Sequence, residues 1–267
     1  MTSRFANKIR TLSLQMVNRA RASHIGSALS TADIVATLYE SVLRINPDEP
    51  DWDDRDRFIL SKGHACVAVY SALAIRGFIK ETELESYGQN YSRLMNHISH
   101  KVPGVEFSTG SLGHGLSFGI GKAFAAKMKG EKWKTYVLMS DGELGEGSNW
   151  EAFLFASHHS LDNIVAIVDY NKLQSFSSVE KTLNIEPFSE KLKSFGWEVR
   201  EANGHDDDEL EALLSQTPWV KNKPSILIAH TIKGKGVSFM ENSVDWHYKS
   251  PDDEQLSTAL LELEGEL

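Results

Sequence analysis

Two short apolar runs rich in β-branched residues, TYVLM (135 to 139) and NIVAIVD (163 to 169), bracket a stretch of helical character that starts near Glu146. Runs of this length and composition read as buried strands. Strand, helix, strand implies a parallel pair, and in open parallel sheets ligands settle in the crevice beyond the carboxyl ends of the strands. The first run leads into SDGELGEGSNWEAF and the second into YNKLQ, so Asp141 and Asn171 both emerge there. Mg²⁺ takes oxygen ligands in near-octahedral array, usually one or two carboxylates with phosphate oxygens and water, so one Asp, one Asn and a backbone carbonyl suffice. Gly142 lets the backbone come close to an anion. An isolated Asp-Gly after a strand is most often an ordinary turn. Its pairing with Asn171 points instead to one Mg²⁺-diphosphate site.

The rest of the chain supports an α/β protein with an open, mostly parallel sheet covered by helices on both faces. Helical periodicity runs over roughly 4 to 22, 30 to 44, 62 to 76, 112 to 128, 146 to 158, 187 to 195, 206 to 215 and 252 to 265. Further strand-like runs lie at 196 to 201 and at PSILIAH, 224 to 230. No repeat or low-complexity linker interrupts the 267 residues, and a single domain over 1–267 is expected.

A formal net charge of −9 argues against a general nucleic-acid or anionic-membrane surface, while leaving room for a local basic pocket. No apolar run approaches the ~20 residues needed to span a bilayer. The N-terminus, alternating apolar and basic residues, does not read as a secretory signal. The single cysteine, Cys66, excludes an internal disulfide, fits a reducing cytoplasm, and reads as a small buried hydrophobe on a helix. The acidic segment at 46 to 57 reads as a solvated loop, and that at 205 to 214 as a helix whose opening Asp residues complement its dipole.

Four histidines stand out: His24 in RASHIGSALS, His64 in ILSKGHACV, His97 in LMNHISHKVPG and His247 in VDWHYKSP. Imidazoles donate hydrogen bonds to hydroxyls and diphosphate oxygens and move protons near neutral pH. Taken singly, each is more often a surface or satisfied core residue. A zinc reading has little behind it: His158 and His159 adjoin and point apart, while His97 and His100 run into Pro103-Gly104 and a loop. STGSLGHGLSFGIGKAFAAKM reads as a tight Gly-rich turn entering a closely packed helix. Glu146 and Glu151, considered alone, are solvated charges at a helix start. IKGKGVSFME carries Lys233 and Lys235 among glycines, but lacks the spacing and terminal Ser/Thr of a phosphate loop.

SDGELGEGSNWEA together with LDNIVAIVDYNKLQ resembles the thiamine diphosphate motif, usually GDG followed at a set distance by NN, and the surrounding text is most similar to the transketolases. Ser140 replaces the first Gly and Tyr170 the first Asn. The resemblance implies that Asp141, Asn171 and the carbonyl of Leu173 hold Mg²⁺, and that Gly142, Asn171, His64 and His247 lie by the diphosphate. It further implies that Gly110 and Leu112 contact the pyrimidine through their backbone, and that His24, His97 and His247 surround the donor sugar. Glu146 and Glu151 would join a carboxylate network at a subunit interface, and the 232 to 241 loop would close over the cofactor.

The resemblance covers the whole chain but only the first, diphosphate-binding domain of a transketolase. It therefore implies a split enzyme, in which a separate C-terminal subunit brings the pyrimidine-binding domain and the Glu that activates the cofactor. The pair would transfer a two-carbon ketol unit from a ketose, or ketose phosphate, to an aldose, as a dimer of two-chain units. Ser23 and Ile25, where the family often has Gly and Pro, and Ser175, where an apolar residue often lines the cofactor, keep a different acyl or ketol transfer open. A non-catalytic scaffold subunit is the remaining alternative. It would need neither Asp141, Asn171 nor the histidines.

Overall fold

The computed structural model describes residues 4–265. Its elements run α1 (Arg4–Ala20), α2 (Ile25–Ser30), α3 (Ala32–Thr37), β1 (Arg57–Leu60), α4 (Cys66–Ile75), α5 (Gly115–Lys129), β2 (Thr135–Ser140), α6 (Gly147–His158), β3 (Ile164–Tyr170), α7 (Val179–Thr182), α8 (Phe188–Ser194), β4 (Glu198–Asn203), α9 (Asp207–Ser215), β5 (Ser225–His230) and α10 (Asp253–Gly265). All five strands are parallel, in the order β1-β2-β3-β5-β4.

Strands β1, β2 and β3 are buried along their whole length, because helices cover both sides of the sheet. Alternate residues serve two cores. Tyr136, Leu138, Val165, Ile167 and Leu227 join Ile9 and Met16 of α1, Leu73 of α4 and Leu210 of α9. Ile59, Val137, Met139, Val168 and Ile228 join Ile120 of α5, Phe153 of α6 and Leu192 of α8. Each such side chain contributes about 1.5–3 kcal/mol of burial. Strand β4 lies at the sheet edge and reads EVREAN, largely accessible, as an edge strand with one neighbour permits.

Several expectations are corrected. Arg57–Leu60 is a strand that periodicity did not reveal, since RFIL is only four residues long and follows a run of charges. The 30 to 44 helix is instead α2, α3 and a π-helical turn, Leu38–Val42. Helix α4 begins at Cys66, after a 3-10 turn over Gly63–Ala65. Gly63 is required there: a Cβ would sit 2.4 Å from Thr109 Oγ1 and 2.6 Å from the Thr109 carbonyl. In the acidic 46 to 57 segment Asp56 is buried, its carboxylate accepting from the Arg44 and Lys134 backbone N–H groups. Cys66 is buried inside α4, and burial pushes its thiol up to about 12, as suits an inert core residue. Asp206 caps α9 by accepting from Glu209 N, with acidic residues filling the first turn.

Chain order and sheet order part company after β3: β4 lies beyond β5, and the chain then returns to fill the gap. This switch opens a crevice at the carboxyl ends of the strands. Register aligns those ends, with Leu60 opposite Leu138, Ser140 opposite Asp169, and Tyr170 opposite His230.

Candidate functional site

Four strand ends feed one cavity of about 240 Å³. Lys62 and His64 follow β1, Asp141 and Gly142 follow β2, Asn171 and Leu173 follow β3, and Lys233 follows β5. His24, His97, Gly110, Leu112 and His247 complete the wall. Glu146 and Glu151 lie apart from it, exposed at the start of α6. A larger cleft of about 630 Å³ adjoins the cavity and shares Asn171 and Leu173, but holds none of the four imidazoles. We assign the chemistry to the smaller cavity for that reason.

On the acidic side, Asp141 accepts from Gly142 N at 2.7 Å and from Lys172 N at 2.5 Å. Lys172 has φ +65°, an unusual conformation for a side-chain-bearing residue. Asn171 is oriented at both ends: Oδ1 accepts from Leu173 N at 3.0 Å, and Nδ2 donates to Asp169 Oδ2 at 3.2 Å. Asp169 is fully buried and also accepts from Lys62 Nζ, Ser30 Oγ and Thr231 Oγ1. Burial would raise its pKa, but Lys62 and these hydrogen bonds together hold it below the ordinary value. For Asp141, burial dominates and, with the nearby Asp169 charge, pushes the carboxyl up to about 7.

No group of three or more His, Cys, Asp or Glu among the described residues is placed to hold a metal ion. The oxygens available at this spot come from the Asp141 carboxylate, the Asn171 amide and the Leu173 carbonyl. That hard, oxygen-only set fits Mg²⁺ completed by phosphate oxygens and water. The space beside it is kept open by glycine: a Cβ on Gly142 would meet Gln174 Cγ at 3.2 Å, and one on Gly110 the His97 ring at 3.1 Å.

Two lysines that sequence reasoning did not assign to the site supply its positive charge. Lys62 and Lys233 are almost fully buried, at 0% and 1% exposure. Lys233 Nζ donates to the carbonyls of Leu173 and Gln174, both at 3.1 Å, and lies 3.0 Å from His247 Nδ1. Burial, with Lys62 nearby, lowers Lys233 to about 8. The signal for Lys62 was its position just after a strand, invisible because β1 itself was missed. Glu143 is the third unforeseen group. It is fully buried, accepting from Ser61 Oγ, from Gly113 N at 2.8 Å and from Ser140 N at 3.3 Å. It thereby ties the Leu112–Gly113 turn to the turn that carries Asp141.

The opposite wall is imidazole. The His24 ring lies 5.2, 5.8 and 5.0 Å from those of His64, His97 and His247, and His64 lies 5.7 Å from His247. His24 has φ +74°, and its N–H donates to His247 O at 2.7 Å, joining segments from opposite ends of the chain. Burial, followed by neighbouring imidazoles and lysines, lowers His24 to about 4, His247 to about 3 and His64 well below the ordinary value. Burial likewise lowers His97. At neutral pH these rings are uncharged, each offering one N–H and one acceptor nitrogen.

A pH dependence of stability follows. The unfolded chain binds protons at these histidines below about 6.5, while the native state resists them until about 4 at His24 and 3 at His247. Their contribution is therefore present above pH 6.5 and lost as pH falls. Asp141, with a raised pKa, works in the opposite direction, so an Asp141→Asn chain isolates the imidazoles. Thermal unfolding of that variant is expected to show a loss of roughly 2 kcal/mol between pH 7.5 and 5, after allowance for solvent screening. A flat profile would contradict burial of uncharged rings.

A parallel sheet whose strand ends gather hard oxygens, buried ammonium groups and uncharged imidazoles has the design of an α/β protein that binds a diphosphate cofactor through a metal. Residues 1–260 match the family described as transketolase, thiamine diphosphate binding domain. One of the two chains of the apulose-4-phosphate transketolase of Phocaeicola vulgatus is 42% identical over 258 residues, covering 97% of this chain and 92% of that protein. The 6-deoxy-6-sulfo-D-fructose transketolase subunit SqwG of Clostridium sp. (strain MSTE9) is 37% identical, covering 98% and 95%. Among solved structures, the transketolase of Campylobacter jejuni superposes with a TM-score of 0.92 at 32% identity over 99% of this chain, which spans only 43% of that one. The chain thus belongs to the transketolase family, as its thiamine diphosphate-binding domain. Members of the family are transferases that use thiamine diphosphate with a divalent metal such as Mg²⁺. Among the described residues no helix is long and apolar enough to cross a membrane.

Proposed function

We propose that this chain is the cofactor-binding subunit of a two-chain transketolase that moves a two-carbon ketol unit from a ketose to an aldose. The observation that carries the two-chain reading is the cavity lining: among the described residues Asp141 is its one carboxylate, and that group faces the metal side. No acid on the imidazole side is available among them to activate the cofactor's pyrimidine. A partner chain with the pyrimidine-binding domain would bring it. The near-complete match to relatives that are themselves named as transketolase subunits supports the same division.

In this reading Asp141, Asn171 and the Leu173 carbonyl hold Mg²⁺, while Gly142, His64, His247, Lys62 and Lys233 face the diphosphate. Gly110 and Leu112 present backbone groups to the pyrimidine. Bound thiamine diphosphate supplies the electron sink for carbon–carbon cleavage and formation. The residues of this chain orient the donor: the uncharged rings of His24, His97 and His247 hydrogen-bond its carbonyl and hydroxyl oxygens, and can take or return a hydroxyl proton. Among the described residues no arginine lines the cavity, so a phosphate or sulfonate on the far end of the sugar falls to the partner. Donors with such anionic ends are favoured by the named substrates of the relatives, apulose 4-phosphate and 6-deoxy-6-sulfo-D-fructose. Glu146 and Glu151, exposed on this chain, would be covered in a dimer of two-chain units. We place the complex in the cytoplasm, in keeping with one free, buried cysteine.

The test is to tag the chain in its native cell, identify the co-purifying protein, and assay the complex for bound thiamine diphosphate and for ketol transfer from ketose phosphates. A transketolase C-terminal type partner, bound cofactor and transfer activity are expected. A chain that purifies alone and takes up no cofactor when Mg²⁺ and thiamine diphosphate are supplied would sink this function and favour a scaffold role.

A further inference from the structure

Behind the cavity, and outside its lining, lies a second buried cluster made of Arg10 in α1, Asp33 in α3 and His205 just after β4. Asp33 is fully buried and Arg10 is 1% exposed. Arg10 grips Asp33 with both terminal nitrogens, at 3.1 and 2.5 Å, and His205 Nδ1 lies 2.6 Å from the same carboxylate. The other ring nitrogen, Nε2, accepts from Ile232 N at 2.8 Å. Because a backbone N–H can only donate, the ring must carry its proton on Nδ1, facing Asp33. Buried ion pairs of this kind are often no more stabilising than apolar packing, so the energetic case for the cluster is weak. Its geometric effect is specific.

Ile232 immediately precedes Lys233, and the same segment is held at several further points. Thr231 Oγ1 donates to Asp169, Gly234 N donates to Gly26 O at 3.0 Å, and Arg10 Nε donates to Lys235 O at 3.0 Å. The Lys233 stem lies against Gly26, where a Cβ would come within 3.3 Å of its Cγ. Lys233 in turn contacts the carbonyl of Leu173 and the ring of His247. We propose that Asp33 and His205 form a positioning relay for Lys233: the carboxylate fixes the imidazole tautomer, the imidazole anchors Ile232 N–H, and the anchored backbone aims the ammonium group into the cofactor cavity. Neither Asp33 nor His205 touches the cavity itself.

The inference rests on the proposed function only for its cofactor readout, so two measurements are paired. The first is trace acylation of lysines in the full chain, read by mass spectrometry, with Lys62 as the internal control for general opening. His205→Phe keeps a ring in place but removes both hydrogen bonds, and is expected to raise labelling of Lys233 about tenfold while leaving Lys62 protected. His205→Gln, with an amide that can both donate and accept, is expected to restore protection in part. The second is the thiamine diphosphate Kd of the two-chain complex at saturating Mg²⁺, expected to weaken about 10- to 100-fold in His205→Phe. In a Lys233→Ala background the same substitution should add almost nothing, as a purely structural role would not predict. Unchanged Lys233 labelling in a folded His205→Phe chain, Lys62 labelling that rises in step, or full additivity with Lys233→Ala would each overturn the relay. A wild-type complex that fails to bind thiamine diphosphate would sink the proposed function instead, and the labelling result would still decide the relay.

Discussion

Asp141→Asn is expected to abolish Mg²⁺-dependent binding of thiamine diphosphate and to lower kcat/KM of the two-chain enzyme by at least about a thousandfold, while making the cofactor-free chain more stable above pH 7. The first effect comes from removing the one carboxylate among the oxygens available to the metal; supporting residues around metal sites alone cost roughly 10- to 100-fold. The second follows from burial. Asp141 titrates at about 7 in the folded chain, against an ordinary value of 3.8. Its contribution is complete below pH 3.8 and disappears as pH rises through 7, so at pH 8 the buried charge works against folding. Asparagine removes that charge but returns only one acceptor oxygen to Gly142 N and Lys172 N, leaving a net gain of about 1–2 kcal/mol, or roughly 2–8 °C in Tm. Calorimetric titration with cofactor and thermal melts at pH 8 check the two parts. Retained Mg²⁺-dependent binding would refute the metal assignment, and a lowered Tm would refute the cost of burying the carboxylate.

Asp169→Ala carries the largest expected stability effect. It strands the fully buried Lys62 ammonium and frees Ser30, Thr231 and Asn171 from their shared acceptor. Removing one partner of a buried ion pair costs about 3–5 kcal/mol, which corresponds to a Tm lower by roughly 6–20 °C. The double variant Lys62→Met, Asp169→Leu leaves no uncompensated charge and is expected to cost less than Asp169→Ala alone. Chemical denaturation of the cofactor-free chains measures both. Metal-dependent cofactor binding should fail in single and double variants alike, since Asn171 loses the group that orients its amide. A loss under about 1 kcal/mol for Asp169→Ala would show that water reaches Lys62.

These two aspartates show how far local pattern reaches. Asp141 was legible because an Asp-Gly turn follows one apolar run and Asn171 follows the next, a relation confined to a single strand, helix, strand unit. Strands β2, β3 and β5 were legible because strands buried on both faces read as nearly continuous apolar text. Asp169 stands in the same motif, yet its importance rests on Lys62, which lies beyond a strand too short and too closely preceded by charges to be read. Glu143, Glu146 and Glu151 share one short acidic helix start. Only Glu143 is buried against Ser61 and Gly113, because one turn of backbone decides which carboxylate faces the sheet.

By itself, then, the sequence determined the parallel α/β architecture, the pairing of Asp141 with Asn171 and the histidine-bearing segments, since apolar periodicity and turn chemistry act over a few residues at a time. Tertiary structure alone decided that four histidines from distant segments meet within ring-contact distance, that Lys62 and Lys233 are buried beside them, and that His205 reaches Asp33 across 172 positions of chain. Those outcomes depend on which surfaces exclude water together. Solvent exclusion leaves the rings uncharged and raises the Asp141 carboxyl, and it is a property of the packed sheet and its helices that no local segment encodes.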